Sequence, residues 1–271
     1  MDGTSPLLEL HEIIVRFGGI QALDRVSLTV GHGETVGLIG PNGAGKTTLF
    51  DVVSGVRRPS EGAVRLDGED VTRLSETTRA HRGVRRTFQR VQTFGWLTVE
   101  DNVLVPLDCR GGGGGFAGDV FSLPLRRKRE RERRALVAGV LDRCGLAGYA
   151  DRLASSLPIG VARMVELARA IAEPPRLLLL DEPASGLDES EAAVLAALVE
   201  DLRTTNGCSV LLVEHDTGFV MRHSDRIVVL SQGAVLAQGT PKEVQADPAV
   251  RAAYLGGARE KDAKKDGAQS A

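Results

Sequence analysis

Glu34-Thr-Val-Gly-Leu-Ile39 runs directly into Gly40-Pro41-Asn42-Gly43-Ala44-Gly45-Lys46-Thr47-Thr48. An apolar strand, two glycines with four residues between them, then Lys and hydroxyl residues opening a helix-like stretch over 46–53: this is the pattern of a phosphate-binding loop. Glycine lets the backbone turn its N–H groups inward as a nest around phosphate oxygens. Lys46 is spaced to reach β- and γ-phosphates, and Thr47 to ligate Mg²⁺. The phosphates would also lie at a helix N-terminus, where free N–H groups and the macrodipole favour anions. Asn42, Gly43, Ala44, Gly45, Lys46, Thr47 and Thr48 are therefore the candidate contacts for a nucleoside triphosphate.

With 271 residues and 42% hydrophobic content, the chain can build one large α/β domain or a domain with a sub-domain. A net charge of −2 supplies no global basic field for nucleic acid. Cys109, Cys144 and Cys208 form no CxxC or Cys/His pattern, and read as small core residues of a reducing compartment. His11, His32, His81 and His223 have no ligand spacing. The first ten residues lack the basic start and apolar block of a signal peptide, and no apolar run approaches a membrane span. A soluble protein is expected, reaching a membrane only through a partner.

The first 33 residues read as short antiparallel strands broken at Gly18-Gly19 and Gly31-His32-Gly33, with Val26, Leu28 and Val30 on one face. Residues 64–66 end at Asp67-Gly68, a turn signal. From about 98 to 160 the character changes, through a glycine run at 111–115 and a charged helical stretch over 125–144. That region is expected to be an inserted, mostly helical sub-domain. Afterwards helices near 161–172 and 189–204 alternate with strands over 177–180, 209–213 and 227–230, which implies a largely parallel sheet covered by helices. The tail 258–271 has almost nothing to bury and is expected to be disordered. The basic run 126–134 reads as a solvated helix face with Glu–Arg pairing, or as a patch for anionic headgroups.

A second constellation follows the first by about 135 residues. Arg176-Leu-Leu-Leu-Leu-Asp181-Glu182-Pro183 is a strand buried on both faces, with two carboxylates at its carboxyl end. That end is where open α/β sheets bind ligands. Asp181 suits Mg²⁺, and Glu182 suits deprotonation of a water attacking the γ-phosphate.

Over roughly residues 7–257 the chain resembles the nucleotide-binding subunits of ATP-binding-cassette (ABC) transporters. The resemblance implies a P-loop ABC cassette: a parallel-sheet core, an N-terminal antiparallel β sub-domain and an inserted helical sub-domain. It implies that Phe17 stacks on adenine and that Gln89, in Arg86-Thr-Phe-Gln89, senses γ-phosphate and metal. Ser185-Gly-Leu-Asp188 matches the D-loop, and His215, in Val213-Glu-His215, the histidine that contacts the γ-phosphate. Catalysis would then rest on Glu182, His215 and Gln89, and Mg²⁺ on Thr47, Gln89 and Asp181.

One element departs from the family. Its signature, Leu-Ser-Gly-Gly-Gln, is here Leu157-Pro158-Ile159-Gly160-Val161. Pro158 has neither a hydroxyl nor a backbone N–H to donate, while Gly160 keeps a close backbone approach. The signature acts in trans on ATP held by the other subunit of a head-to-tail dimer, so the departure implies a heterodimer with a second, different ATPase.

Within the family the relaxed signature, Arg16-Phe-Gly-Gly-Ile-Gln-Ala-Leu23, the glycine-rich insert and the ending Ala253-Tyr-Leu-Gly256 are similar to ATPases of branched-chain amino-acid importers. Urea importers and a lipid-export ATPase share some of these features. The implied setting is the cytoplasmic face of a membrane, with permease subunits and, indirectly, a solute-binding protein. A soluble ABC protein acting on nucleic acid or translation is the rival class. It usually carries two cassettes, a long coiled coil or zinc fingers, and none of these is legible here.

Overall fold

A computed structural model describes residues 5–108 and 123–253. In chain order the first stretch holds β1 (Leu8–Phe17), β2 (Ile20–Val30), β3 (Thr35–Ile39), α1 (Lys46–Ser54), β4 (Glu61–Leu66), β5 (Glu69–Asp70) and α2 (Glu76–His81). Then come β6 (Val84–Arg86), α3 (Val99–Asp108), α4 (Leu123–Arg143) and α5 (Ile159–Ile171). The chain continues through β7 (Leu177–Asp181), α6 (Glu189–Asn206), β8 (Ser209–Val213) and α7 (Thr217–His223). It ends in β9 (Arg226–Ser231), β10 (Ala234–Gly239) and α8 (Pro241–Ala246). The described residues fall into two compact units, one of 5–84, 176–182 and 207–253, the other of 85–108, 123–175 and 183–206.

The first unit carries two sheets. One is antiparallel, in the order β2-β1-β4-β5. Its first two strands are ten and eleven residues long, longer than the sequence suggests, with Gly18-Gly19 as the turn between them. Three register shifts between β1 and β2 take up the twist that so long a hairpin accumulates. Val26, Leu28 and Val30 all point inward, as their alternation requires.

The other sheet runs β10-β9-β3-β8-β7, and β6 starts at Val84 on its outer edge. Neighbours among β9, β3, β8 and β7 are parallel, and β10 closes one edge antiparallel to β9. Leu177, Leu178, Leu179 and Leu180 are at most 1% exposed, as expected for a strand covered on both faces. Between the sheets Leu49, Phe50, Val52 and Val53 of α1 join one continuous apolar cluster with Leu38, Leu179, Leu211 and Val228. Burial at this depth, roughly 1.5–3 kcal/mol per large side chain, is what holds the loops after the strands in place.

The second unit is helical. Buried Val99, Val103 and Leu104 of α3 meet α4 and α5, whose inner faces carry Val137, Leu141, Val165 and Ala168. α6 buries Leu195, Leu198 and Leu202, a spacing of three and four. The described residues of the insert expected over about 98–160 lie inside this unit, which also takes in 85–97, 161–175 and 183–206. On α4, Arg134 bonds Glu130 and Glu100, each at 2.9 Å, and Lys128 pairs with Glu132. Cys144 and Cys208 are free and buried, with burial pushing both thiols up to about 12. Cys109, the glycine run 111–115 and the tail 258–271 lie outside the described residues.

Candidate nucleotide site

Strand register brings the first unit's candidate residues to one edge. Leu38 of β3 and Asp181 of β7 both lie level with Val213 of β8, so three adjacent parallel strands end together. The 40–45 loop leaves β3 there, Glu182 follows β7, and Glu214-His215 follows β8. Residues more than 130 positions apart in sequence thus converge because parallel strands put all their carboxyl ends on one side.

The loop needs glycine at both its ends. Gly40 has φ 156°, and a Cβ there would stand 2.2 Å from the Leu230 carbonyl oxygen. At Gly45, φ 103°, it would stand 2.7 Å from Leu23 and 2.8 Å from the Ala22 carbonyl. Lys46 opens α1 and is only 8% exposed. Its Nζ donates to the carbonyls of Gly40 at 2.6 Å and Pro41 at 3.1 Å, so the ammonium is folded back against its own loop. Burial lowers its pKa, and the charges of Glu182 and Asp181 oppose that shift. Asn42, Gly43 and Thr47 are exposed, Thr48 is half-buried, and Ala44 is buried.

Glu182 carries the backbone tension of the site. Its φ is 53°, a left-handed conformation that costs a non-glycine residue of order 1–3 kcal/mol. Its N–H donates to the Val213 carbonyl at 2.8 Å, which pins the turn to the neighbouring strand. The side chain then lies largely buried and accepts from His215 Nε2 at 2.8 Å. His215 is itself steadied from both neighbours. Its N–H donates to Glu214 Oε2 at 3.1 Å, and Asp216 caps α7 by accepting from Gly218 and Phe219. A carboxylate held in this way by an imidazole is chemically suited to accept a proton.

Asp181, 3% exposed, and the hydroxyl of Thr47 offer hard oxygens of the kind Mg²⁺ takes. Among the described residues no cluster of three or more His, Cys, Asp or Glu side chains could hold a metal alone. That donor set fits an ion completed by phosphate oxygens and water, the usual habit of Mg²⁺. Phe17, at the end of β1, is 42% exposed, with the Arg57 guanidinium 4.2 Å from its ring centre. Arg57 was not legible as a neighbour of Phe17, since no sequence signal ties position 57 to position 17.

Gln89 and Gly160 belong to the second unit. The Gln89 carbonyl accepts from Arg163 Nη2 at 3.4 Å. Pro158 is the N-cap of α5, with no side-chain cap, and buried Gly160 lies in the helix's first turn. A Cβ on Gly160 would stand 2.5 and 2.6 Å from the carboxylate oxygens of Glu191. Glu191 accepts from the Asp188 N–H at 3.0 Å, while Asp188 accepts from the Glu191 N–H at 2.8 Å. This reciprocal cap fastens the start of α6, and Gly160 is where its carboxylate finds room. Gly160→Ala should displace Glu191 and break half of the cap, costing less than about 1 kcal/mol, because that carboxylate is the end of a flexible side chain and alanine suits a helix better than glycine. Denaturant unfolding checks this: an unchanged midpoint would mean that Glu191 has another seat.

The chain matches the family model described as "ABC transporter" over residues 23–185. A second model, "Branched-chain amino acid ATP-binding cassette transporter", matches residues 234–260. It is 43% identical to the high-affinity branched-chain amino acid transport ATP-binding protein BraF of Pseudomonas aeruginosa, over 93% of this chain and 98% of that protein. Identity to the similarly named LivG of Escherichia coli is 41%, covering 93% and 99%. A crystal structure of the ADP conformation of an ATP-binding cassette of an ABC transporter superposes with a TM-score of 0.79 at 30% identity. That superposition covers 93% of this chain and 100% of the other.

Proposed function

The chain belongs to the ABC transporter family, and from that premise we propose that it hydrolyses ATP to drive uptake of branched-chain amino acids through a membrane importer. The observation that carries the substrate is similarity, over 93% of this chain, to BraF and LivG, which are named for that transport. The match of residues 234–260 to the branched-chain model supports the same reading.

ATP enters with its phosphates in the 40–47 loop and its adenine on Phe17. Lys46 exchanges the carbonyls of Gly40 and Pro41 for β- and γ-phosphate oxygens, a short move for an ammonium already inside the loop. Thr47 and Asp181 would hold Mg²⁺, with Gln89 as the further ligand that the family resemblance implies. When bound, that ion neutralises charge on the phosphate oxygens. Glu182 takes the proton of the attacking water, and His215 orients that carboxylate and reaches the γ-phosphate. Asn42, Gly43, Ala44, Gly45 and Thr48 supply the rest of the phosphate cradle.

ATP-binding subunits of this family work with membrane permease components. Among the described residues no helix is long and apolar enough to cross a membrane. In this reading the chain sits at the cytoplasmic face, attached through those components. A solute-binding protein delivers cargo on the far side. Turnover needs a dimer, in which the first turn of α5, with Gly160, faces the nucleotide of the other subunit. Because Pro158 lacks a hydroxyl, the other subunit is a different ATPase whose own signature completes the Lys46 site.

Deleting the gene and measuring uptake of labelled leucine beside labelled urea tests the substrate. Leucine uptake should fall and urea uptake should not. Unchanged leucine uptake, with no second such transporter to mask the loss, would defeat the substrate assignment and leave the ATPase standing.

A further inference from the structure

Residues 87–97, a stretch called the glutamine loop here after Gln89, form no helix or strand, yet their backbone is gripped at several points inside the second unit. Three side chains of α5, spaced three apart on one side of the helix, hold its first half. Glu166 Oε1 accepts from the Phe88 N–H at 3.0 Å, and Arg163 Nη2 donates to the Gln89 carbonyl at 3.4 Å. Arg169 Nη1 donates to the Gln92 carbonyl, and its guanidinium lies 4.6 Å from the centre of the Phe94 ring. The second half is held by Asn102 of α3. Its Oδ1 accepts from the Phe94 N–H at 2.8 Å, and its Nδ2 donates to the Phe94 and Thr98 carbonyls.

Glu166 is the unusual member. It is 6% exposed, on a helix whose adjacent positions Met164, Val165, Leu167 and Ala168 are buried as well. A carboxyl group in such surroundings is costly unless bonded, and an aliphatic side chain would pack there more cheaply. Burial raises its pKa, opposed by the Phe88 hydrogen bond and by Arg163 and Arg169.

We propose that Arg163, Glu166 and Arg169 are positioning residues through which α5 sets the place of Gln89, so that events at the first turn of α5 are felt in the glutamine loop. This rests on the reading above, in which that first turn faces the partner's nucleotide and Gln89 senses its own. One rigid helix then meets one nucleotide at its start and holds the sensor of the other at its middle. Coupling of this kind can travel through packed side chains and hydrogen bonds, and the three contacts form such a connection.

Glu166→Ala removes the acceptor for the Phe88 N–H, whereas Glu166→Gln keeps an oxygen in its place. In the assembled transporter Glu166→Ala should lower kcat on the order of 2- to 30-fold with KM for ATP unchanged, and Glu166→Gln should restore most of it. Trp96, the chain's single tryptophan, stands 6.0 Å from Phe94 on the same loop and reports its mobility. Its fluorescence anisotropy should fall in Glu166→Ala and recover in Glu166→Gln.

Full turnover in Glu166→Ala would overturn the proposal. So would a loss that Glu166→Gln leaves unrepaired while the melting temperature drops, because that is ordinary core damage. If Glu166→Ala fails to fold, half-buried Arg163→Ala decides: lowered kcat at an unchanged melting temperature supports the clamp, and unchanged kcat defeats it. Gln89→Ala with full turnover would mark failure of the underlying reading, whereas impaired Gln89→Ala beside normal Glu166→Ala marks failure of the clamp alone.

Discussion

Glu182→Gln is expected to bind ATP as the parent does and to lose about 10²–10⁴-fold in hydrolysis, the scale of a general base. The geometry makes this a clean substitution. The glutamine carbonyl oxygen can take the place of Oε1 and still accept from His215 Nε2, now at 2.8 Å from the carboxylate. The backbone bond from residue 182 to the Val213 carbonyl is untouched, so the left-handed turn at φ 53° survives. What disappears is the negative charge and the ability to receive a proton. Phosphate release by the assembled transporter, measured beside nucleotide affinity, checks it. Parental turnover would move the base to another residue. Loss of binding would mean that the carboxylate holds the site together rather than acting on water.

The largest effect on stability is expected from a residue that never meets ATP. Arg79 is fully buried, and its Nη1 donates to the carbonyls of Val52 at 2.7 Å and Val53 at 2.8 Å. Nη2 donates to the Thr72 carbonyl at 3.2 Å. Val52 and Val53 lie in the last turn of α1, where helix carbonyls have no partner within the helix and a positive charge complements the dipole. Burial lowers the Arg79 pKa to about 10, which leaves it charged at neutral pH. Arg79→Ala strips two buried carbonyls and a part-buried one and opens a cavity, so unfolding free energy should fall by about 3–5 kcal/mol. Arg79→Lys should lose less, since one ammonium replaces only part of the fork. Chemical denaturation gives the number, and a loss under about 1 kcal/mol would mean that water takes over the three carbonyls. Because the same helix begins at Lys46, nucleotide affinity should weaken alongside stability.

The gap between those two residues marks what was legible. Glu182 could be read because a run of four leucines ending in two carboxylates describes a buried strand and its exit in consecutive residues. Arg79 sits in Ser75-Glu-Thr-Thr-Arg-Ala-His81, a polar string that reads as surface helix. Nothing local says that its guanidinium turns in to meet carbonyls 26 and 27 positions away. Glu166 was hidden for the same reason: a lone acid in an amphipathic helix looks solvated until the loop it bonds is placed beside it. β10 and the short helices α7 and α8 also escaped the sequence reading. β10 is a half-exposed edge strand with little apolar alternation, and the two helices span only one to two turns, too short for a period to be counted.

By itself the sequence determined the phosphate loop, the strand that feeds it, the carboxylate pair and the alternation that makes the sheet parallel. These are local facts, carried by glycines that permit one backbone path and by apolar periods that permit one kind of element. The tertiary structure decided which distant groups share the site. It placed His215 on Glu182, folded Lys46 back onto its own loop, buried Arg79 beneath α1 and set α5 against the glutamine loop. Those contacts come from strand order, register and close packing, and no stretch of sequence contains both partners of any long-range pair among them.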